Sequence, residues 1–257
     1  YKEAAGRLGS LDVKYADPAV LPELAFKKGY CHYVLGDYPD ARTNFLEVEA
    51  LPMSDYKAPA RWALAYMAYV GNDFAQAARW FEKSAADPRF SQLSRFYLVD
   101  CHFMQKDYEY VLDEGVALYP EVPESRQQRL ARMISEAYLV RGDVAKAKEY
   151  FSGISRQDMS RADWFYAGSV LYAVEDWAGA IESFSNMSER SDSLGQIANY
   201  QLANAYFKTG NNVAAMNSFK DAASAGWDAK MREDAMFNYA KLAFDLNGDV
   251  SAFNDYM

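Results

Sequence analysis

Residues that carry chemistry are what this sequence has least of. It holds two His and two Cys in 257 residues, too few cysteines for a disulfide framework. A Ser or Cys nucleophile needs a positioned base, usually His, and neither His falls in a catalytic signature. The chain lacks a Gly-x-Ser-x-Gly elbow, a Gly-x-Gly-x-x-Gly fingerprint and a Walker loop. No catalytic residue and no cofactor are therefore expected. Eight Pro and 14 Gly are too few for an all-β protein dense in turns. No apolar run is long enough to span a membrane. Tyr1-Lys2-Glu3-Ala4-Ala5 has neither the basic leader nor the apolar core of a signal peptide. Basic excess is missing too. With 36 acidic against 27 basic residues the net charge is −9, which argues against nucleic acid or an anionic membrane as the main partner.

What is abundant is aromatic and periodic. The chain carries 20 Tyr and 15 Phe, and the same short pattern returns six times. It reads Gly36-Asp37-Tyr38…Ala41…Phe45, then Asn72-Asp73-Phe74…Ala77…Phe81, then Lys106-Asp107-Tyr108…Val111…Gly115. Gly142-Asp143-Val144…Ala147…Phe151, Glu175-Asp176-Trp177…Ala180…Phe184 and Gly210-Asn211-Asn212…Ala215…Phe219 follow. A weaker seventh turn is Gly248-Asp249-Val250. Measured at the third turn residue, successive spacings are 36, 34, 36, 33, 35 and 38. Gly ends a helix in the left-handed conformation, Asp or Asn caps the next one, and Ala and Phe four apart share a face. Pro18, Pro22, Pro52, Pro59, Pro88, Pro120 and Pro123 separate the hairpins.

These residues resemble the tetratricopeptide repeat family, whose pattern is Trp…Leu-Gly…Tyr…Gly-Asp-Tyr…Ala…Phe. The match is carried by Gly29, Gly36, Asp37, Tyr38, Ala41 and Phe45, again by Trp164, Gly168, Asp176, Ala180 and Phe184, and by Leu202, Tyr206, Gly210, Ala215, Phe219 and Ala222. Departures exist: the Trp position is Ala25, Arg61, Arg95, Ala131 and Asn199 elsewhere, and Gly115 replaces a Phe. The resemblance implies an all-α fold, a right-handed α-solenoid over 1–257. Its repeats are expected at 22–51, 58–87, 92–119, 127–153, 161–187 and 196–225, with a second helix alone at 1–14 and a truncated repeat at 232–257. Tyr1, Ala4 and Leu8 copy the spacing of Tyr38, Ala41 and Phe45, so the segment reads as a slice of a longer array. Its end helices would then self-associate weakly.

Phe26-Lys27-Lys28-Gly29-Tyr30-Cys31 followed by Gly36-Asp37-Tyr38 is similar to a narrower group, the long exported repeat proteins of Gram-negative bacteria, including the Tol-Pal-associated coordinator. That likeness implies a periplasmic or outer-membrane-associated location.

Cys31-His32 and Cys101-His102 are identical dipeptides at the same helix position. A whole hairpin lies between them, on the order of 20 Å from packed-helix spacings, so neither a zinc site nor a disulfide is expected. The Cys position elsewhere is Met67, Ala137, Val170 and Ala205, a small apolar slot.

In the family, first helices line the binding groove. Counted within each repeat, the fifth residue is Phe26, Trp62, Phe96, Arg132, Phe165, Tyr200, and the twelfth is Tyr33, Tyr69, Phe103, Leu139, Tyr172, Phe207. The ninth, between them, is Tyr30, Tyr66, Asp100, Glu136, Ser169 and Asn204. Residues seven apart share a helix face, so two aromatic ladders result. They are either packing between neighbours or a wet groove for a peptide. The candidate partner-binding residues are Tyr30, Tyr33, Trp62, Tyr66, Tyr69, Asp100, Phe103 and Glu136; no metal ligand is expected. The basic clamp that chaperone adaptors use is missing where Phe26, Tyr30, Trp62, Tyr66 and Phe96 stand. Arg129 and Arg132 form one basic island, with Glu136 a turn away as the expected counter-charge. The reading is a non-catalytic scaffold for a protein or peptide, the alternative being an envelope scaffold that stacks glycan on Trp62, Tyr66 and Tyr69.

Overall fold

A computed structural model describes residues 1–9 and 17–251. The chain forms two compact units, 1–133 and 134–257. In the first, α1 (Lys2–Gly9) precedes the hairpins α2 (Leu21–Val34)/α3 (Tyr38–Ala50) and α4 (Lys57–Val70)/α5 (Phe74–Ala85). A third hairpin joins α6 (Ser91–Met104) to a helix broken into α7 (Tyr108–Tyr110), a π-turn (Val111–Gly115) and α8 (Val116–Leu118). α9 (Glu124–Arg141) starts in the first unit and ends in the second. The second unit continues with α10 (Val144–Phe151), α11 (Arg161–Ala173)/α12 (Trp177–Asn186), α13 (Ser193–Lys208)/α14 (Asn212–Ser224) and α15 (Ala229–Asn247). The described residues contain no strand, so the fold is all-α. Of the helix expected at 1–14, residues 10–14 lie outside the described residues. So does the helix expected at the C-terminus beyond residue 251.

The turns are built as their chemistry demands. Gly36, Gly142 and Gly210 sit at φ 79, 85 and 79°, and Asn72, Lys106 and Glu175 take the same left-handed conformation at 60, 61 and 59°. That conformation is strained for a residue with a Cβ, so the second and third hairpins and the α11/α12 hairpin hold it without glycine. The next residue caps the second helix. Asp73, Asp107, Asp143, Asp176 and Asn211 each accept the backbone N–H three residues on, at 3.0–3.4 Å. Asp37 is the exception: α3 has no side-chain cap, and the carboxylate turns to His32 instead, 3.0 Å from Nδ1. Pro39, in the first turn of α3, spends no needed N–H there.

Cores lie between the two helices of each hairpin and between successive hairpins. Ala25, Ala41, Phe45, Val48, Ala60 and Leu64 form one; Ala65, Ala77, Phe81, Leu98 and Cys101 the next. The second unit repeats the scheme with Ala180 and Phe184, then Ala215 and Phe219. Close approach decides the detail. A Cβ added at Gly29 would stand 2.8 Å from Phe45 Cε1, and one at Gly168 only 2.5 Å from Phe184 Cε1. In these two hairpins the eighth residue of the first helix therefore faces the Phe of the second. Along the chain these pairs are Gly29/Phe45, Ala65/Phe81, Val99/Gly115, Ser135/Phe151, Gly168/Phe184 and Ala203/Phe219. The third pair is inverted. Val99 is fully buried, and opposite it stands Gly115, buried at the end of the π-turn. Where the Phe is missing, the larger residue of the register pair thus stands on the first helix.

Candidate functional site

The aromatic residues of the first unit's first helices do come together, on α2, α4 and α6. Trp62 and Tyr66, one turn apart on α4, stack with centroids 5.2 Å apart and planes 7° apart. Tyr66 continues to Tyr69 at 6.3 Å. On α2, Phe26 stacks on Tyr30 at 6.4 Å, and Tyr30 remains 46% exposed. Trp62, Tyr66, Tyr69, Tyr33 and Phe103 are each half-buried. Tyr33, Tyr38, Tyr66, Met67, Val70 and Gly71 line a cavity of about 340 Å³. A larger one, about 490 Å³, lies beside Tyr38, Arg42, Met67, Asp73 and Gln76.

Tyr97, which the fifth, ninth and twelfth positions pass over, is the hub of this cluster. Its ring stacks on Phe81 at 5.2 Å and 9°. It meets Tyr69 edge-on at 5.2 Å, Tyr66 at 5.8 Å and Trp62 at 6.5 Å. The sequence signal was an adjacent aromatic pair, Phe96-Tyr97, in the repeat that lacks its Phe.

Asp100 and Glu136 are placed differently from the expectation of exposed groove charges. Asp100 is 1% exposed and Glu136, in the second unit, 7%. Asp100 survives burial because it is paired. The Tyr69 hydroxyl donates to its Oδ2 at 2.8 Å, and Arg129 Nη2 reaches the same oxygen at 2.6 Å. Nη2 also donates to the Tyr69 hydroxyl oxygen at 2.8 Å, closing a triangle. The counter-charge of Arg129 is therefore Asp100. Asp100 Oδ1 accepts nothing from the described residues. Burial first, then the Asp100 carboxylate, pushes the Tyr69 hydroxyl far above the ordinary tyrosine value, while Arg129 pulls the other way. Tyr97 is raised mainly by burial. Arg126 and Arg132, three residues either side of Arg129, lie over the rings of Phe96 and Phe103 at 5.9 and 5.8 Å.

The two Cys-His dipeptides act locally. Both thiols are free and buried, and burial raises Cys101 to about 12. Each His clasps the turn that follows: His32 Nδ1 to Asp37, and His102 Nδ1 to Asp107 at 2.9 Å. Hydrogen bonding to His32 lowers the Asp37 carboxyl. Nδ1 of His32 and carboxylate oxygens of Asp37 and Asp40 lie within 4.8 Å of one another. In the third hairpin the same clasp has Tyr110 stacked on His102 at 3.7 Å in place of the second carboxylate, which marks it as a turn fastening.

Helical hairpins at a period near 34 residues, all but the third pairing a small residue with a Phe, define an all-α repeat protein of the solenoid class. The chain belongs to the tetratricopeptide repeat family, whose model matches residues 26–91 and 167–230. Such repeats mediate protein–protein interaction. A tetratricopeptide repeat protein from Parabacteroides merdae is 14% identical and superposes with TM-score 0.58, over 92% of this chain and 97% of its own. The C-terminal part of a repeat-containing protein from Cytophaga hutchinsonii is 11% identical, TM-score 0.52, over 100% and 95%. At such identities the likeness is one of fold. A search of curated proteins gives no match. No described helix is long and apolar enough to cross a membrane.

Proposed function

We propose that this chain is a non-catalytic module that holds a peptide or protein partner against the aromatic face of α2, α4 and α6. One observation carries the reading: the Trp62–Tyr66 stack is half-exposed and adjoins a cavity walled by Tyr33, Tyr38, Tyr66 and Val70. Large rings with polar tips give contact area at low entropic cost, which suits an extended or helical segment. The second unit offers Ser169 and Asn204 at the ninth position, with less apolar area. An envelope location rests on the texture of residues 26–38 alone. Weak self-association through the end helices belongs to the same proposal and would show as concentration-dependent mass in light scattering.

The test separates binding from packing. With a partner captured by co-purification, Tyr66→Ala is expected to weaken binding by about 2 kcal/mol or more, with the melting temperature nearly unchanged. Tyr30→Ala should follow in part and Asn204→Ala should not. A clear fall in melting temperature with binding intact would make the ladders packing. Displacement of the partner by soluble glycan fragments, and not by peptides, would favour the glycan alternative.

A further inference from the structure

We propose that the aromatic face of the first unit receives an acidic segment of a partner protein, its carboxylate seated on Arg126 and Arg129 and its apolar residues on Trp62 and Tyr66. This rests on the reading of that face as the binding surface and names the chemistry it selects.

Arg126 and Arg129 stand three apart on α9, so they share one side of the helix. Arg129 is held by one nitrogen only: Nη2 serves both Asp100 and Tyr69, while Nη1 and Nε bond to none of the described residues. Its side chain is 47% exposed although its anchor, Asp100, is 1% exposed. A buried carboxylate thus fixes an outward-facing guanidinium, which lowers the cost of ordering it on binding. Arg126 lies over the Phe96 ring at 5.9 Å and pairs with no described carboxylate. Both arginines favour the ionised form of Tyr97 against burial, so both charges are felt at that ring. The Tyr97 hydroxyl itself donates to no described residue. Tyr97 touches Tyr66 and Trp62 edge-on, so the donors and the stacked rings are neighbours.

Guanidinium N–H groups left without acceptors match a carboxylate, which they can bind in two-pronged fashion. They stand in a chain of net charge −9. Rings beside arginines also suit single-stranded nucleic acid. The overall negative field, however, opposes a ligand charged at every phosphate far more than a segment with one or two carboxylates.

The experiment uses the whole chain and fluorescein-labelled peptides on one Leu/Pro scaffold, carrying Glu, Gln or Lys at the same positions, read by anisotropy. An oligothymidylate is the fourth probe. The Glu peptide is expected to bind about tenfold tighter than the Gln peptide, since charged hydrogen bonds are the strong ones, and the Lys peptide weakest. Arg126→Gln should erase the Glu advantage. Arg129→Lys, which keeps a cation beside Asp100, should reduce the advantage in part, and added salt should narrow it. Equal binding of Glu and Gln peptides, or an Arg126→Gln chain that still prefers Glu, overturns the inference. So does oligothymidylate binding more tightly than the Glu peptide. If Tyr66→Ala abolishes peptide binding while the arginine changes do nothing, the aromatic reading stands and the acidic preference falls. If none of the peptides binds, both fall.

Discussion

At the scale of single residues, the triangle of Tyr69, Asp100 and Arg129 sets an alkaline limit on the first unit. The folded state raises the Tyr69 hydroxyl above its unfolded value near 10. A raised folded value means the unfolded chain gives up its proton first. Stability from this group is complete below about pH 10 and is lost as pH climbs from there through the folded value. Melting curves from pH 8 upward should therefore fall steeply above pH 10 in the parent chain. Tyr69→Phe should begin lower, having lost the bond to Asp100, but decline with a shallower slope; parallel slopes would remove Tyr69 as the cause. Only half of this arrangement was legible in the sequence. Position nine marks Asp100 as polar among aromatics, and position twelve marks Tyr69. That the carboxylate is buried depends on Arg129, 29 residues on. A helical count places residues on faces and does not tell which guanidinium reaches a buried carboxylate.

At the scale of helices, the hairpin turns were the most legible part. Their chemistry is local: a left-handed residue, then a capping Asp or Asn, at 36–37, 72–73, 106–107, 142–143, 175–176 and 210–211. The turn holds even where Lys106 and Glu175 must take the glycine conformation, because the cap and the packed Ala–Phe face outweigh about 1–2 kcal/mol of strain. What a local pattern does not reveal is the compensation at Val99 and Gly115. The missing Phe coincides with a π-turn over Val111–Gly115 and with a larger residue, Val99, at the matching position of the first helix. The exchange makes the two positions coupled. Gly115→Phe alone should destabilise by about 1–3 kcal/mol through overpacking, and Val99→Gly alone by a similar amount through a cavity. The double change should cost at least about 1 kcal/mol less than the sum in a denaturant cycle. Additive values would show that the π-turn, and not Val99, absorbs the missing ring.

At the scale of the whole molecule, stability is a chain of neighbour contacts. Within each unit successive helices pack on their neighbours: α3 on α4 and α5 on α6 in the first, α12 on α13 and α14 on α15 in the second. In such arrays a local wound stays local. Phe81→Ala, which removes a fully buried ring from the second hairpin, should cost about 3–5 kcal/mol where it is felt. Hydrogen exchange should show protection lost across 57–118 and hardly altered across 193–247. A uniform loss along the chain would mean a single cooperative block. The all-helical class was readable at this scale because six turns in register leave little freedom. The aromatic face was readable as two ladders, yet its hub, Tyr97, was not, since it stands one residue outside the counted positions.

The inverted pair in the third hairpin also bears on ancestry. Repeat arrays lengthen, shorten and reshuffle by recombination between similar stretches of coding sequence. Five hairpins carry their large residue on the second helix, so halves drawn from different repeats still place a small residue over a ring. The third carries it on the first helix. A crossover at the turn 105–107 would set Val99 against an imported Phe, or leave Gly115 opposite an imported Gly, Ala or Ser. Crossovers between hairpins bring neither fault. The third hairpin is thus heritable only as a whole, and its two halves should travel together in any descendant array.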